Sequence, residues 1–259
     1  EVLLLGLLEG ITEFLPISST GHMLLLDHWL KHAQPDVFFA VIQTGAVLAV
    51  LLVFTGRVKE MLTDWKNPVT RDFVLKLFSA FVLTAIGGLI LKKLHFKLPK
   101  DPVPIALATL IGGILIIWIE YAVRGKSLRD SVTWPVAIAI GVGQLLAVIF
   151  PGLSRSGSTI MIGIALGIAR RPATEFSFLL GIPTLLSAAA VETLGALRHP
   201  EPGLAPNWAM IGFGTLVAAI TAFIVVKWLL RFIQSHTFVG FGWYRIALGI
   251  LTLALIKWL

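Results

Sequence analysis

Apolar residues dominate this chain in long blocks, and polar residues cluster between them. Six blocks are long enough to cross, or nearly cross, a bilayer: Val37–Phe54, Phe73–Leu91, Val103–Tyr121, Phe176–Ala196, Trp208–Val226 and Tyr244–Leu259. A spanning helix needs about 20 apolar residues, so each predicts one such helix. Two further apolar stretches are interrupted. Val2 to Leu30 is broken by Pro16-Ile17-Ser18-Ser19-Thr20-Gly21, and Val136 to Ile168 by Pro151-Gly152-Leu153-Ser154-Arg155-Ser156-Gly157. Proline ends the helix before it, and each remaining half is too short to span. Both stretches therefore predict re-entrant helix–loop–helix hairpins, with the loop buried in protein or lining a wet cavity.

The two broken stretches resemble each other. Gly6-x-x-Glu9 before Pro16 matches Gly141-x-x-Gln144 before Pro151; downstream, Phe38 matches Phe176, and Ile105-Ala106-Leu107 matches Ile246-Ala247-Leu248. Each half, approximately residues 1–121 and 135–259, then holds one hairpin and three spanning helices. Three is odd, so the second half is inverted relative to the first, as in transporters with broken helices and a site near the midplane. The fold expected is a single all-α polytopic membrane domain.

Composition agrees: 57% of the 259 residues are hydrophobic and 14% charged, against about 45–50% and about 25% in soluble domains. The net charge of +7 is then better explained by cytoplasmic loops and anionic headgroups than by nucleic acid. Trp29, Trp65, Trp134, Trp208, Trp243 and Trp258 lie near the ends of apolar runs, where an aromatic belt sits. With no cysteine, disulfides, thiolate metal sites and a cysteine nucleophile are excluded. No segment has the layout of a cleaved signal peptide, and Glu1 in place of an initiator Met suggests that residues precede it.

With both hairpins re-entrant, one face receives Arg57, Lys59, Lys66, Arg71, Lys76, Arg124, Lys126, Arg129, Arg170, Arg171, Lys227, Arg231 and Arg245. The other receives Lys31, Lys92, Lys93, Lys97, Lys100, Arg198 and Lys257: thirteen against seven. The positive-inside rule makes the first face cytoplasmic and puts both termini outside.

Ionisable groups inside membrane segments are candidate functional groups, because burying them is costly. Glu9 and Glu13 are four apart and share a helix face, among apolar neighbours; they repel unless a cation, a proton or an arginine lies between them. Arg155 sits in Ser154-Arg155-Ser156-Gly157-Ser158-Thr159, just before an apolar run. Such a helix start presents free N–H groups, and arginine adds a bidentate phosphate fork. Ser154, Ser156 and Thr159 are further candidate donors, although a serine there also serves as an N-cap. The first loop contributes Ser18, Ser19, Thr20, Gly21 and His22. A hydroxyl beside an imidazole and a carboxylate is a candidate nucleophile or, equally, a phosphate ligand or cap. His28 and His32 read as interfacial, and Glu120, Glu175 and Glu192 as helix-end residues.

The run Glu9-Gly10-Ile11-Thr12-Glu13-Phe14-Leu15-Pro16-Ile17-Ser18-Ser19-Thr20-Gly21-His22 resembles the first signature of undecaprenyl pyrophosphate phosphatases of the bacitracin-resistance family. Pro151-Gly152-Leu153-Ser154-Arg155-Ser156-Gly157-Ser158-Thr159 resembles the second, and Glu175-Phe176-Ser177-Phe178-Leu179-Leu180 also matches. The resemblance covers essentially the whole chain. It implies a periplasm-facing enzyme of the bacterial inner membrane that recycles the lipid carrier for peptidoglycan and other envelope polymers, with roles in cell shape and bacitracin resistance. It implies a divalent cation, Mg2+ or Ca2+, with Glu9 and Glu13 as its ligands, and an active-site set of Glu9, Glu13, Ser19, His22 and Arg155. Ser18, Thr20, Gly21, Ser154, Ser156, Gly157 and Thr159 join as substrate-binding positions. Ser19 is then the nucleophile, with Glu13 or His22 as its base. The expected partners are the polyprenyl pyrophosphate and membrane lipids, with a homodimer left open and nucleic acid not expected. Phosphatases related to acid phosphatases are disfavoured, because their Ser-Arg motif wants a histidine where Met161 stands. A polyprenyl-phosphate flippase, alone or as a second activity, is the alternative from a different class.

Overall fold

The structure is a computed structural model that describes residues 1–29, 34–94, 101–198 and 206–255, without the side chains of 24, 25 and 27–29. The readings of Trp29, His28, Lys31, His32, Lys97, Lys100, Lys257 and Trp258 lie outside the described side chains. All extended elements are helical: α1 (Val2–Thr12), α2 (Ser19–Trp29), α3 (Asp36–Val53), α4 (Thr55–Thr63), α5 (Pro68–Lys93), α6 (Pro102–Ala122), α7 (Trp134–Ile149), α8 (Arg155–Ala165), α9 (Arg170–Arg198), α10 (Trp208–Phe232) and α11 (Val239–Leu255).

Five of these, α3, α5, α6, α9 and α10, are long and apolar enough to cross a membrane. Only 22% to 44% of each spanning window is buried. Large apolar side chains such as Leu52, Phe78, Leu89, Trp118 and Ile224 cover the outside. Water would not tolerate such a surface on a monomer, so the protein is a multi-pass membrane protein. The sixth expected span, Tyr244–Leu259, corresponds to α11, which has 17 described residues and starts earlier, at Val239. A short helix, α4, lies between α3 and α5.

Local sequence fixes the helix starts. Pro68, Pro102 and Pro135 occupy first-turn positions of α5, α6 and α7, where the missing N–H costs nothing. Asn67 and Asn207 cap α5 and α10 with their side chains. The bundle is held by close helix pairs: α6 with α11, α10 with α3 and α1, α5 with α7, and α3 with α9. Small residues permit the approach; a Cβ on Gly10 would lie 2.6 Å from the Ala218 carbonyl.

Both interrupted stretches are helix–break–helix units. Their halves, α1 and α2, α7 and α8, have 11, 11, 16 and 11 residues, which at 1.5 Å per residue is about 16 to 24 Å. The breaks share a construction. Ser18 and Ser154 both have positive φ, 72° and 70°, rare for residues with a Cβ. Each caps the following helix through its hydroxyl: Gly21 N–H donates to Ser18 Oγ and Gly157 N–H to Ser154 Oγ, both at 3.1 Å. Ser19 and Arg155 consequently occupy the same place, the first residue of the second half-helix.

Candidate active site

The two breaks meet inside the bundle. Glu13 follows the last turn of α1, and its N–H still donates to the Glu9 carbonyl. Both carboxylates are buried, Glu9 2% and Glu13 7% exposed. Arg155, at the start of α8, donates from Nη2 to Glu13 Oε1 at 2.7 Å. Ser19, at the start of α2, donates from Oγ to Glu13 Oε2 at 3.1 Å. One carboxylate thus joins a hydroxyl of the first unit to a guanidinium of the second. The guanidinium also lies 5.3 Å above the Phe14 ring, and its Nη1 approaches the Ser177 carbonyl at 3.4 Å.

Ser156 ties the backbone of the two breaks together. Its buried hydroxyl points at the carbonyls of Glu13 and Leu15, at 3.1 and 3.0 Å. Thr159 is equally buried and donates to the Arg155 and Ser156 carbonyls, with Ser177 Oγ as a further partner. Ser18 and Ser154 are caps. The expected role of these four hydroxyls as substrate ligands therefore finds them engaged by protein; they shape the site. Gly21 is buried, Gly157 is held in the capped first turn of α8, and Thr20 is exposed.

His22 departs from the reading that paired it with Ser19. It lies three residues beyond Ser19, but both of its ring nitrogens meet other partners. Its Nδ1 is 2.7 Å from the Ser18 carbonyl and its Nε2 is 2.6 Å from the Tyr244 hydroxyl. Of the two bases left open by the sequence, Glu13 is the one bonded to Ser19.

Two buried polar atoms in this site have no hydrogen-bond partner: Glu9 Oε1 and Arg155 Nε. Buried groups are nearly always satisfied, so an unpaired acceptor and an unpaired donor in one site make it a candidate ligand position. Glu9 Oε1 suits a proton or a cation; Arg155 Nε suits an anionic oxygen.

Sequence reasoning missed Arg245. It was counted among the cytoplasmic charges, but it is 1% exposed, because α11 begins at Val239 and carries it inward. Its guanidinium donates to carbonyls of both breaks, Pro16 at 3.3 Å, Leu153 at 2.8 Å and Gly152 at 2.9 Å, and to Thr109 at 3.1 Å. The signal available was a charge embedded in an apolar run. Gly112 and Gly181 were also missed. A Cβ on Gly112 would collide with the Arg245 guanidinium, and one on Gly181 with that of Arg155, so these glycines make room for both cations.

The fold and site define a helical membrane protein whose candidate site, an acid–hydroxyl–guanidinium set suited to phosphate chemistry, is assembled from two broken helices. A family model described as "Bacitracin resistance protein BacA" matches residues 2–251. An undecaprenyl-diphosphatase of Rhizobium johnstonii is 47% identical over 254 residues, covering 97% of this chain and 95% of that one. One from Xylella fastidiosa is 47% identical over 258 residues, 99% of this chain and 97% of that one. One from Xanthomonas oryzae pv. oryzae is 45% identical over 260 residues, 100% and 96%. The chain belongs to the BacA family.

Proposed function

We propose that the protein is a membrane phosphatase that hydrolyses undecaprenyl pyrophosphate to undecaprenyl phosphate and inorganic phosphate. The observation that carries the reading is the unpartnered Arg155 Nε beside a carboxylate already bonded to a hydroxyl. The relatives' shared name supplies the substrate. Phosphoryl transfer needs mostly positioning and charge neutralisation. Arg155 and the first N–H groups of α8 hold the terminal phosphoryl oxygens. Ser19 Oγ attacks the phosphorus and gives its proton to Glu13 as the anhydride bond breaks and undecaprenyl phosphate leaves. Glu13 passes that proton to the departing undecaprenyl phosphate and, a carboxylate again, takes one from the water that attacks the phosphoryl group on Ser19, returning it to the Ser19 oxygen as inorganic phosphate leaves.

Glu9 and Glu13 also fit a divalent cation, Mg2+ or Ca2+. Glu9 Oε1 is free to bind one. Among the described residues no third acidic or histidine ligand gathers there, and Mg2+ typically takes one or two carboxylates and keeps waters or phosphate oxygens for the rest. Bound there, the cation would neutralise pyrophosphate charge.

The halves 1–121 and 135–259 form an inverted repeat in this reading, supported by the two breaks with one capping geometry and by α1 packing on α10 as α7 packs on α5. Moving Arg245 inward changes the charge count from thirteen against seven to twelve against seven. That bias still favours both termini outside, with the site open to the periplasmic face of the bacterial inner membrane. Returning the carrier there sustains peptidoglycan synthesis and cell shape, and in this reading it underlies bacitracin resistance.

Purified protein in detergent, given undecaprenyl pyrophosphate, should release phosphate. Ser19→Ala should fold with unchanged thermal stability and lose turnover by orders of magnitude. A lipid transporter without phosphatase activity would release none, since detergent abolishes compartments. Substantial kcat in Ser19→Ala would make water the nucleophile.

A further inference from the structure

His22 and Tyr244 form a contact that the phosphatase reading leaves unused. Their rings stack with centroids 5.6 Å apart and planes within 8°, and the Tyr244 hydroxyl lies 2.6 Å from His22 Nε2. The other nitrogen, Nδ1, lies 2.7 Å from the Ser18 carbonyl. A carbonyl only accepts, so Nδ1 carries the proton. Nε2 then holds a lone pair, and the Tyr244 hydroxyl donates to it. Both ring nitrogens are committed, and neither serves Ser19.

What the imidazole holds is the strained point of the first break. Ser18 is at φ 72°, a conformation that persists only when its surroundings enforce it. Its carbonyl accepts from both the His22 ring and the His22 backbone N–H, the latter at 3.3 Å. Its hydroxyl accepts from Gly21. The next residue is Ser19, whose Oγ must point at Glu13.

Resting on the phosphatase reading, we propose that Tyr244 is a positioning residue, and that it acts through His22 on the Ser18 carbonyl to aim the Ser19 hydroxyl. In this arrangement His22 is a tautomer-fixed strut and Glu13 alone is the base. The chain of contact runs from α11 through α2 into the break, so the helix that carries Arg245 also orients the nucleophile.

The experiment uses purified full-length Tyr244→Phe, His22→Asn, His22→Gln and the Tyr244→Phe/His22→Asn double variant. It reads phosphate release from undecaprenyl pyrophosphate, melting temperature and ring-15N NMR of labelled histidine, with His22 assigned by its loss in His22→Asn. The amide nitrogen of Asn overlays Nδ1 and keeps the Ser18 bond, whereas that of Gln reaches the Nε2 position. Tyr244→Phe keeps the stack but loses one hydrogen bond, and kcat should fall about tenfold with KM unchanged. His22→Asn should be no worse than Tyr244→Phe, and the double variant no worse than His22→Asn, because the two act in series. His22→Gln should lose at least about a hundredfold, the scale of a misaimed reacting group. The NMR should show one tautomer, protonated at Nδ1, that becomes mixed in Tyr244→Phe. His22→Asn as dead as His22→Gln, beside a fully active Tyr244→Phe, would make His22 a proton-transfer group and overturn the proposal. A wild-type His22 protonated at Nε2 would overturn it whatever the activity. Absence of phosphate release by the wild type would instead defeat the phosphatase reading, and the NMR would still decide the Tyr244–His22 lock.

Discussion

Glu13 gives one carboxylate oxygen to Arg155 and the other to Ser19, so the proposed reaction depends on how well one side chain is held between two partners. The guanidinium occupies the space left by the missing side chain of Gly181. Gly181→Ala therefore tests position separately from charge. The added methyl meets only the far end of a flexible side chain, so the fold should tolerate it while the fork moves. We expect Gly181→Ala to lower kcat about tenfold or more, since a displacement near 1 Å is costly in an oriented site, with melting within a few degrees of wild type. Arg155→Lys keeps a charge but loses the planar fork, and turnover should fall ~10²-fold. If Gly181→Ala matches wild type while Arg155→Lys is dead, the charge of Arg155 matters and its placement does not.

At the scale of elements, the breaks were legible because proline and the Ser/Gly clusters interrupt otherwise uniform apolar runs. The five long spans were legible for the same reason, and their boundaries moved substantially only where polar residues join a helix. Arg170, for example, extends α9 beyond the apolar run because its guanidinium pairs with the buried Glu120 across the bundle. Arg245 was missed because an apolar run started at Tyr244 makes an arginine embedded in apolar sequence look like one at a helix end. Ser156 and Thr159 were read as ligands because a hydroxyl's partner is set by tertiary approach. The direction of His22 was hidden too, since Tyr244 lies far away in sequence. Packing offers a matched test. Gly10 faces α10 so closely that a Cβ would meet backbone at 2.6 Å, whereas Gly56 in α4 has nothing within 4 Å. Gly10→Ala should force α1 away from α10, costing about 1–3 kcal/mol and lowering activity through Glu9. Gly56→Ala should be neutral or stabilising by up to about 1 kcal/mol. Melting in one detergent checks both, and equal shifts would mean the α1–α10 contact is looser than described.

For the molecule as a whole, the charge asymmetry has a direct readout. A reporter inserted at Gly125, an exposed turn with φ 74°, should be active only as a cytoplasmic reporter, and one following residue 255 only as an external reporter. The reverse pattern would invert the orientation and place the site on the other side of the membrane. The site is divided between the two halves of the chain. The first break supplies acid and hydroxyl, the second supplies the guanidinium, and Arg245 fastens one to the other. Half a chain would therefore own only half a reaction centre. The two breaks share a capping serine and differ at the residue after it, Ser19 in the first and Arg155 in the second: swapping those two residues would keep both turns and hand each half the other's chemistry.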